Sequence, residues 1–173
     1  MKVIIGIDPG SRLTGFGVIQ SDPLVRKGEW CHVEHGVIVV PEKLSFAARM
    51  AYLAHELRPL WQRYPTAVTA IEQVFLGKNA DSAFKLGHAR GVCMMLAAEN
   101  GGEVEEYAAR KVKKVVTGNG GATKEHVQLV VGQWLRIPPT AKLDASDALA
   151  LALCHAQSLN ERSVLARMEG ARL

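Results

Sequence analysis

The chain has 173 residues, 48% of them apolar, which suits one compact domain and leaves no room for a second large one. A formal charge of +4 and a pI near 9.1 fit an anionic polymer partner without requiring one. No stretch approaches the roughly 18 apolar residues of a membrane span, so a cytoplasmic protein is expected. The three cysteines, Cys31, Cys93 and Cys154, are widely spaced and form no C-x-x-C, which argues against a disulfide framework or a zinc ribbon.

Residues 2 to 8 are an apolar, β-branched run, broken by Pro9-Gly10-Ser11 and resumed as a strand from Thr14 to Gln20. A third extended segment, about Glu29 to Val40, ends at Pro41 and completes an antiparallel meander. Helical spacing of Phe46, Met50, Leu53, Leu57, Leu60 and Trp61 predicts a helix from Ser45, its N-cap, to about Arg63. Ala67 to Glu72 reads as a strand, followed by a long helix capped by Asn79 or Asp81 and running to about Glu99.

The end of that helix, Val92 to Ala98, is apolar on every side, which predicts burial against the sheet and either the domain interior or a second subunit. A short strand at Glu103 to Tyr107 precedes a basic helix from Ala108 to about Val116. The glycine-rich turn 118–121 leads to a helix capped by Thr123 and stopped by Pro138-Pro139. The last helix is expected over about Ala145 to Gln157. This divides the chain into a domain of residues 1–157 and a flexible, frayed tail of 158–173. The order predicts an α/β fold: a mixed five-stranded sheet flanked by helices, in the ribonuclease-H-like pattern.

Four acids stand out. Asp8 ends the apolar run Val-Ile-Ile-Gly-Ile-Asp, and Glu72 ends Val-Thr-Ala-Ile-Glu, on a strand where a carboxylate is costly to bury. Asp144 and Asp147, three apart, share a helical face near an N-terminus, where acids are also favoured by the helix dipole alone. Asp8 before Pro-Gly could likewise simply open a turn. Taken together, the four suit two Mg2+ ions about 4 Å apart, clamping the oxygens of an in-line phosphoryl displacement. Arg110 to Lys124 holds five basic residues and no acid, and with no nucleotide cradle nearby this points to a phosphodiester backbone as substrate. Lys124 is placed to neutralise the reacting phosphate and Lys113 to hold the backbone, although a solvated face is the plain alternative. Phe75 is either a core residue or a wedge against an unpaired base. The six histidines form no zinc pattern.

Gly6-Ile7-Asp8-Pro9-Gly10-Ser11-Arg12, Ile71-Glu72-Gln73-Val74-Phe75, Lys78-Asn79-Ala80-Asp81-Ser82-Ala83, Ala89-Arg90-Gly91, Glu106-Tyr107-Ala108-Ala109-Arg110 and Asp144-Ala145-Ser146-Asp147-Ala148 occur in this order. In these blocks, over about residues 1 to 156, the chain resembles the RuvC family of Holliday-junction resolvases. The resemblance implies a homodimer that binds four-way junction DNA, nicks two like-polarity strands symmetrically and works with the RuvA–RuvB branch-migration complex. It implies catalysis and metal binding by Asp8, Glu72, Asp144 and Asp147, with two Mg2+ per subunit and Mn2+ as a substitute, and catalytic help from Lys124. Junction probing falls to Phe75, and the DNA path is expected to involve Lys78, Lys85, Arg90, Lys113, Lys114 and Lys124. His88 stands where the family pattern has glutamine. The competing readings are a related nuclease acting on RNA, a non-catalytic junction-binding protein, and a kinase with Asp8-Pro9-Gly10-Ser11 as phosphate loop. A kinase of that kind needs two lobes, and this chain holds one.

Overall fold

The structure is a computed structural model that describes residues 2–21, 29–73, 80–139 and 142–170. Its sheet has the order β3-β2-β1-β4-β5. β1 (Val3–Asp8), β2 (Leu13–Ser21) and β3 (Trp30–Val39) form the antiparallel meander, while β4 (Val68–Glu72) and β5 (Val104–Tyr107) are added parallel to β1. β1 is central and covered on both faces, which explains why it reads as a continuous apolar run without alternation.

Successive β1 side chains point to opposite faces and seed two cores. Ile5 and Ile7 join Leu53, Leu57 and Trp61 of α1 (Phe46–Arg63) and Cys93 and Leu96 of α2 (Ala80–Glu99). Ile4 joins Val112 of α3 (Ala109–Thr117), Val131 of α4 (Lys124–Leu135) and Leu149 and Leu153 of α5 (Leu143–Gly170). Ser45 and Thr123 cap α1 and α4 as expected, accepting from the amides of Ala48 and His126. The Trp61 indole N–H donates to the buried Thr69 hydroxyl at 3.0 Å, pinning α1 to β4. Cys93 and Cys154 are buried free thiols, whereas Cys31 is exposed on the edge strand.

α5 is longer than expected, and α2 covers only one of the two sides for which partners are expected. α5 does not end near Gln157 but continues to Gly170. Polar residues do not end the helix here: no glycine or proline interrupts the stretch before Gly170, Leu159 still packs against the core, and Ser158 returns its hydroxyl to the Cys154 carbonyl at 3.0 Å. α2 is not buried all round. Ala89, Cys93, Leu96 and Ala97 face inward, while Phe84 and Met95 are 65% and 45% exposed on the outer side. Among the described residues, no helix is long and apolar enough to cross a membrane.

Candidate active site

β1 and β4 are parallel neighbours with Ile7 opposite Ile71, so Asp8 and Glu72 emerge side by side where both strands end. The turn beyond Asp8 is closed by Thr14, whose hydroxyl donates to the Gly10 carbonyl at 2.8 Å and accepts from the Gly10 amide at 3.2 Å. α5 brings Asp144 and Asp147 beneath the same edge, and this requires very close helix-to-sheet contact. A Cβ on Gly6 would lie 1.9 Å from the Ala148 carbonyl oxygen, and one on Gly15 would lie 2.0 Å from that of Asp144. Both strands therefore need a residue without a side chain where the helix crosses. Neither glycine was legible as a site element from its immediate motif, although glycine inside a strand is the usual signal of close backbone approach.

The carboxylates feel one another's charge. Burial, followed by the charges of Asp147 and Glu72, raises the Asp8 pKa from 3.8 to about 7, with Lys124 opposing and Asp144 adding to the rise. Glu72 is also pushed up, by burial first and by Asp147 next. Lys124, a hydrogen bond with the Asp8 carboxyl and Lys113 act against that rise. Burial alone would lower the Lys124 pKa, but its hydrogen bond and ion pair with Asp147, and the charges of Asp8 and Asp144, leave it raised. Lys124 Nζ rests directly on an Asp147 oxygen. Glu72, Asp147, Lys113 and Lys124 line one cleft of about 180 Å³, floored by Val112, Val127 and Leu151.

Among the described residues, no three acids, histidines or cysteines stand in ready-made ligand positions around one point. The donor set nevertheless fits a hard divalent cation. It consists of carboxylate oxygens at the solvent edge of a buried sheet, with the Asp8 carboxyl pushed up by burial first and by its acidic neighbours next. Lys124 supplies positive charge beside them.

The remaining basic residues divide. Lys114 and Lys85 are exposed, Lys85 in an ion pair with Asp81 one helical turn away. Arg90 points inward, bonded to the Glu72 main chain and to Glu106. Lys111 sits 5.0 Å from the centre of the Tyr107 ring. Phe75 and Lys78 lie outside the described residues.

A mixed five-stranded sheet with acids at the ends of its first and fourth strands, faced by acids on the last helix, defines the nuclease class of the ribonuclease-H-like fold. The family model described as crossover junction endodeoxyribonuclease RuvC matches residues 4–155. A RuvC of Bdellovibrio bacteriovorus is 50% identical, with 95% of this chain and 96% of that protein aligned. A RuvC of Pseudomonas fluorescens is 44% identical, over 91% and 88% of the two chains. The structure of Thermus thermophilus RuvC in complex with Holliday junction substrate superposes with a TM-score of 0.84 at 27% identity, covering 93% of this chain and 96% of that one. The fowlpox virus resolvase shares the fold at a TM-score of 0.56 and 13% identity. The chain belongs to the RuvC family of crossover junction endodeoxyribonucleases.

Proposed function

We propose that this protein resolves Holliday junctions in DNA recombination and repair by paired, symmetric nicks, as a homodimer that uses two Mg2+ ions per active site. The observation that carries the reading is the convergence of Asp8, Glu72, Asp144 and Asp147 on one edge of the sheet, with their charge short of compensation. Asp8, Glu72, Asp144 and Asp147 would hold the ions. Bound there, Mg2+, or Mn2+ in its place, would supply the Lewis acidity for attack by water on the phosphate.

The chain's own groups do the rest. Lys124 offers its ammonium to the scissile phosphate as negative charge builds on it, and Lys113, across the same cleft, fixes the strand being cut. The apolar floor of Val112, Val127 and Leu151 keeps the local dielectric low, so that each of these charges acts strongly. Lys78, Lys85 and Lys114 contribute phosphate contacts along the arms, and Phe75 stacks on an unpaired base at the branch point.

Two equivalent cuts need two equivalent sites, which an isologous dimer provides. The outer face of α2 supports that assembly: Phe84 and Met95 are exposed there, and Gly87 and Gly91 face open space, so a second helix can approach closely. In keeping with its family, the protein works in the cytoplasm beside the RuvA–RuvB complex. The division into a nuclease domain of residues 1–157 and a separate 158–173 segment remains part of this proposal.

The test uses labelled synthetic four-way junction, duplex and RNA substrates, with wild type and Asp8→Asn. Paired, metal-dependent nicks in the junction, lost in Asp8→Asn while junction binding is kept, are the expected result. Cleavage of RNA or duplex with no preference for the junction would overturn the reading.

A further inference from the structure

Arg90 lies on the inner side of α2, and its side chain reaches across to the end of β4. Its Nε donates to the main-chain oxygen of Glu72 at 3.1 Å, and a terminal guanidinium nitrogen lies 2.7 Å from Oε2 of Glu106 on β5. The Arg90 side chain is only 17% exposed, in contrast to Lys85 on the same helix at 47%. One planar group thus spans the ends of two adjacent strands.

We infer that Arg90 is a positioning residue for the carboxylate of Glu72, acting through the Glu72 backbone and braced by Glu106. This rests on the active-site reading given above. Glu72 is the last residue of β4, and the next tie to β5 is the Gln73 amide donating to the Tyr107 carbonyl at 3.0 Å. Among the described residues, that bond is the last between β4 and β5, and Arg90 adds its hold at the same strand end. The guanidinium fork supplies that hold: Nε takes the carbonyl while the terminal nitrogen is fixed on a carboxylate of the neighbouring strand. A lysine cannot hold both points at once, because its single nitrogen offers no rigid fork.

A contact of this kind, one step behind a ligand, acts on metal affinity. A phosphate contact would act on DNA affinity and its salt dependence. The two roles are separable by experiment.

The variants are Arg90→Ala, Arg90→Lys and Glu106→Gln, with Asp8→Asn as control. Mn2+ binding to the protein alone is followed by electron paramagnetic resonance, the exchange rate of the Gln73 amide by hydrogen exchange, and junction affinity in EDTA across a salt series. Arg90→Ala is expected to weaken Mn2+ binding roughly 10- to 100-fold, the usual consequence of losing a group that orients a ligand. The Gln73 amide should exchange faster, and junction affinity and its salt slope should stay at wild-type values. Arg90→Lys and Glu106→Gln should shift Mn2+ binding in the same direction by less. These milder variants carry the test if Arg90→Ala does not fold. Wild-type Mn2+ affinity in folded Arg90 variants would overturn the inference, as would intact Mn2+ binding with a salt slope reduced by about one, the mark of a lost phosphate contact. If wild type and Asp8→Asn bound Mn2+ alike, the active-site reading itself would fall and the role of Arg90 with it.

Discussion

The protein treats two of its strand glutamates, Glu34 and Glu72, in opposite ways. Glu34, on edge strand β3, is saturated. Arg63 donates to it from Nε at 3.3 Å and from a terminal nitrogen at 2.9 and 3.0 Å, and the Tyr64 hydroxyl adds a bond at 2.9 Å. These partners follow one another at the end of α1, so a local helix terminus settles the charge. Glu72, on β4 near the centre of the sheet, faces other acids. Four carboxylates there share the charges of Lys113 and Lys124, and Asp8 gives way by holding a proton up to about pH 7. The lesson is that an acid on a strand marks a site only when the protein withholds its counter-charge. Glu34 is structural because it is satisfied, and Glu72 points to catalysis because it is not.

The contrast breaks first in activity. Asp8→Asn should lower the cleavage rate by roughly 10³-fold or more, the several kcal/mol that metal stabilisation supplies, while Glu34→Gln leaves single-turnover cleavage within about twofold of wild type. A comparable effect on the charged edge comes from pH. Between about 4 and 7, folded Asp8 keeps a proton that the unfolded chain has released, so the metal-free protein binds more protons folded than unfolded. Its stability should therefore be greatest below pH 4 as far as this group is concerned, and fall by on the order of a few kcal/mol as pH rises through 7. Denaturant melts at a series of pH values check this, and Asp8→Asn should flatten the slope.

Smaller effects sharpen the comparison. Gly6→Ala places a methyl group against the Ala148 carbonyl and should cost about 3 kcal/mol or more in chemical denaturation, since the clash is with helix backbone. Lys124→Ala should reduce single-turnover cleavage about 100-fold, with junction affinity changed far less. The smallest effects, and the most pointed, are on stability without metal at pH 8. Glu34→Gln should destabilise by about 1 kcal/mol, because charged hydrogen bonds are lost at a half-exposed site. Glu72→Gln should stabilise by a similar amount, because a repelling charge is removed.

The meander, the two added strands and the places of the four acids at strand ends and on the last helix were legible because each rests on a local signal. β-branched runs stop at Pro-Gly or Pro, and a glutamate on an apolar strand is expensive wherever it occurs. What the sequence could not show depends on what packs against what. The outer face of α2 looks as apolar in sequence as its inner face, and only its packing against α1 and the sheet tells Cys93 from Met95. The extent of α5 is obscured in the sequence because a polar helix and a fraying tail share the same composition. Arg90 resembles any basic residue near a DNA-binding motif, and its commitment to Glu72 and Glu106 is a tertiary fact. Gly15 sits in a Gly-Phe-Gly stretch whose meaning appears only when α5 is laid across it.

Asp8 and Glu72 call for a divalent cation that Glu34, held by Arg63 and Tyr64, does not need. Thermal melts at pH 8 of wild type, Glu72→Gln and Glu34→Gln, each with and without saturating Mg2+, test this directly. The account predicts that Mg2+ stabilises wild type and Glu34→Gln alike, by about 3 kcal/mol at a hundredfold excess over its dissociation constant, and leaves Glu72→Gln nearly unmoved. Equal stabilisation of all three, or of none, would contradict it.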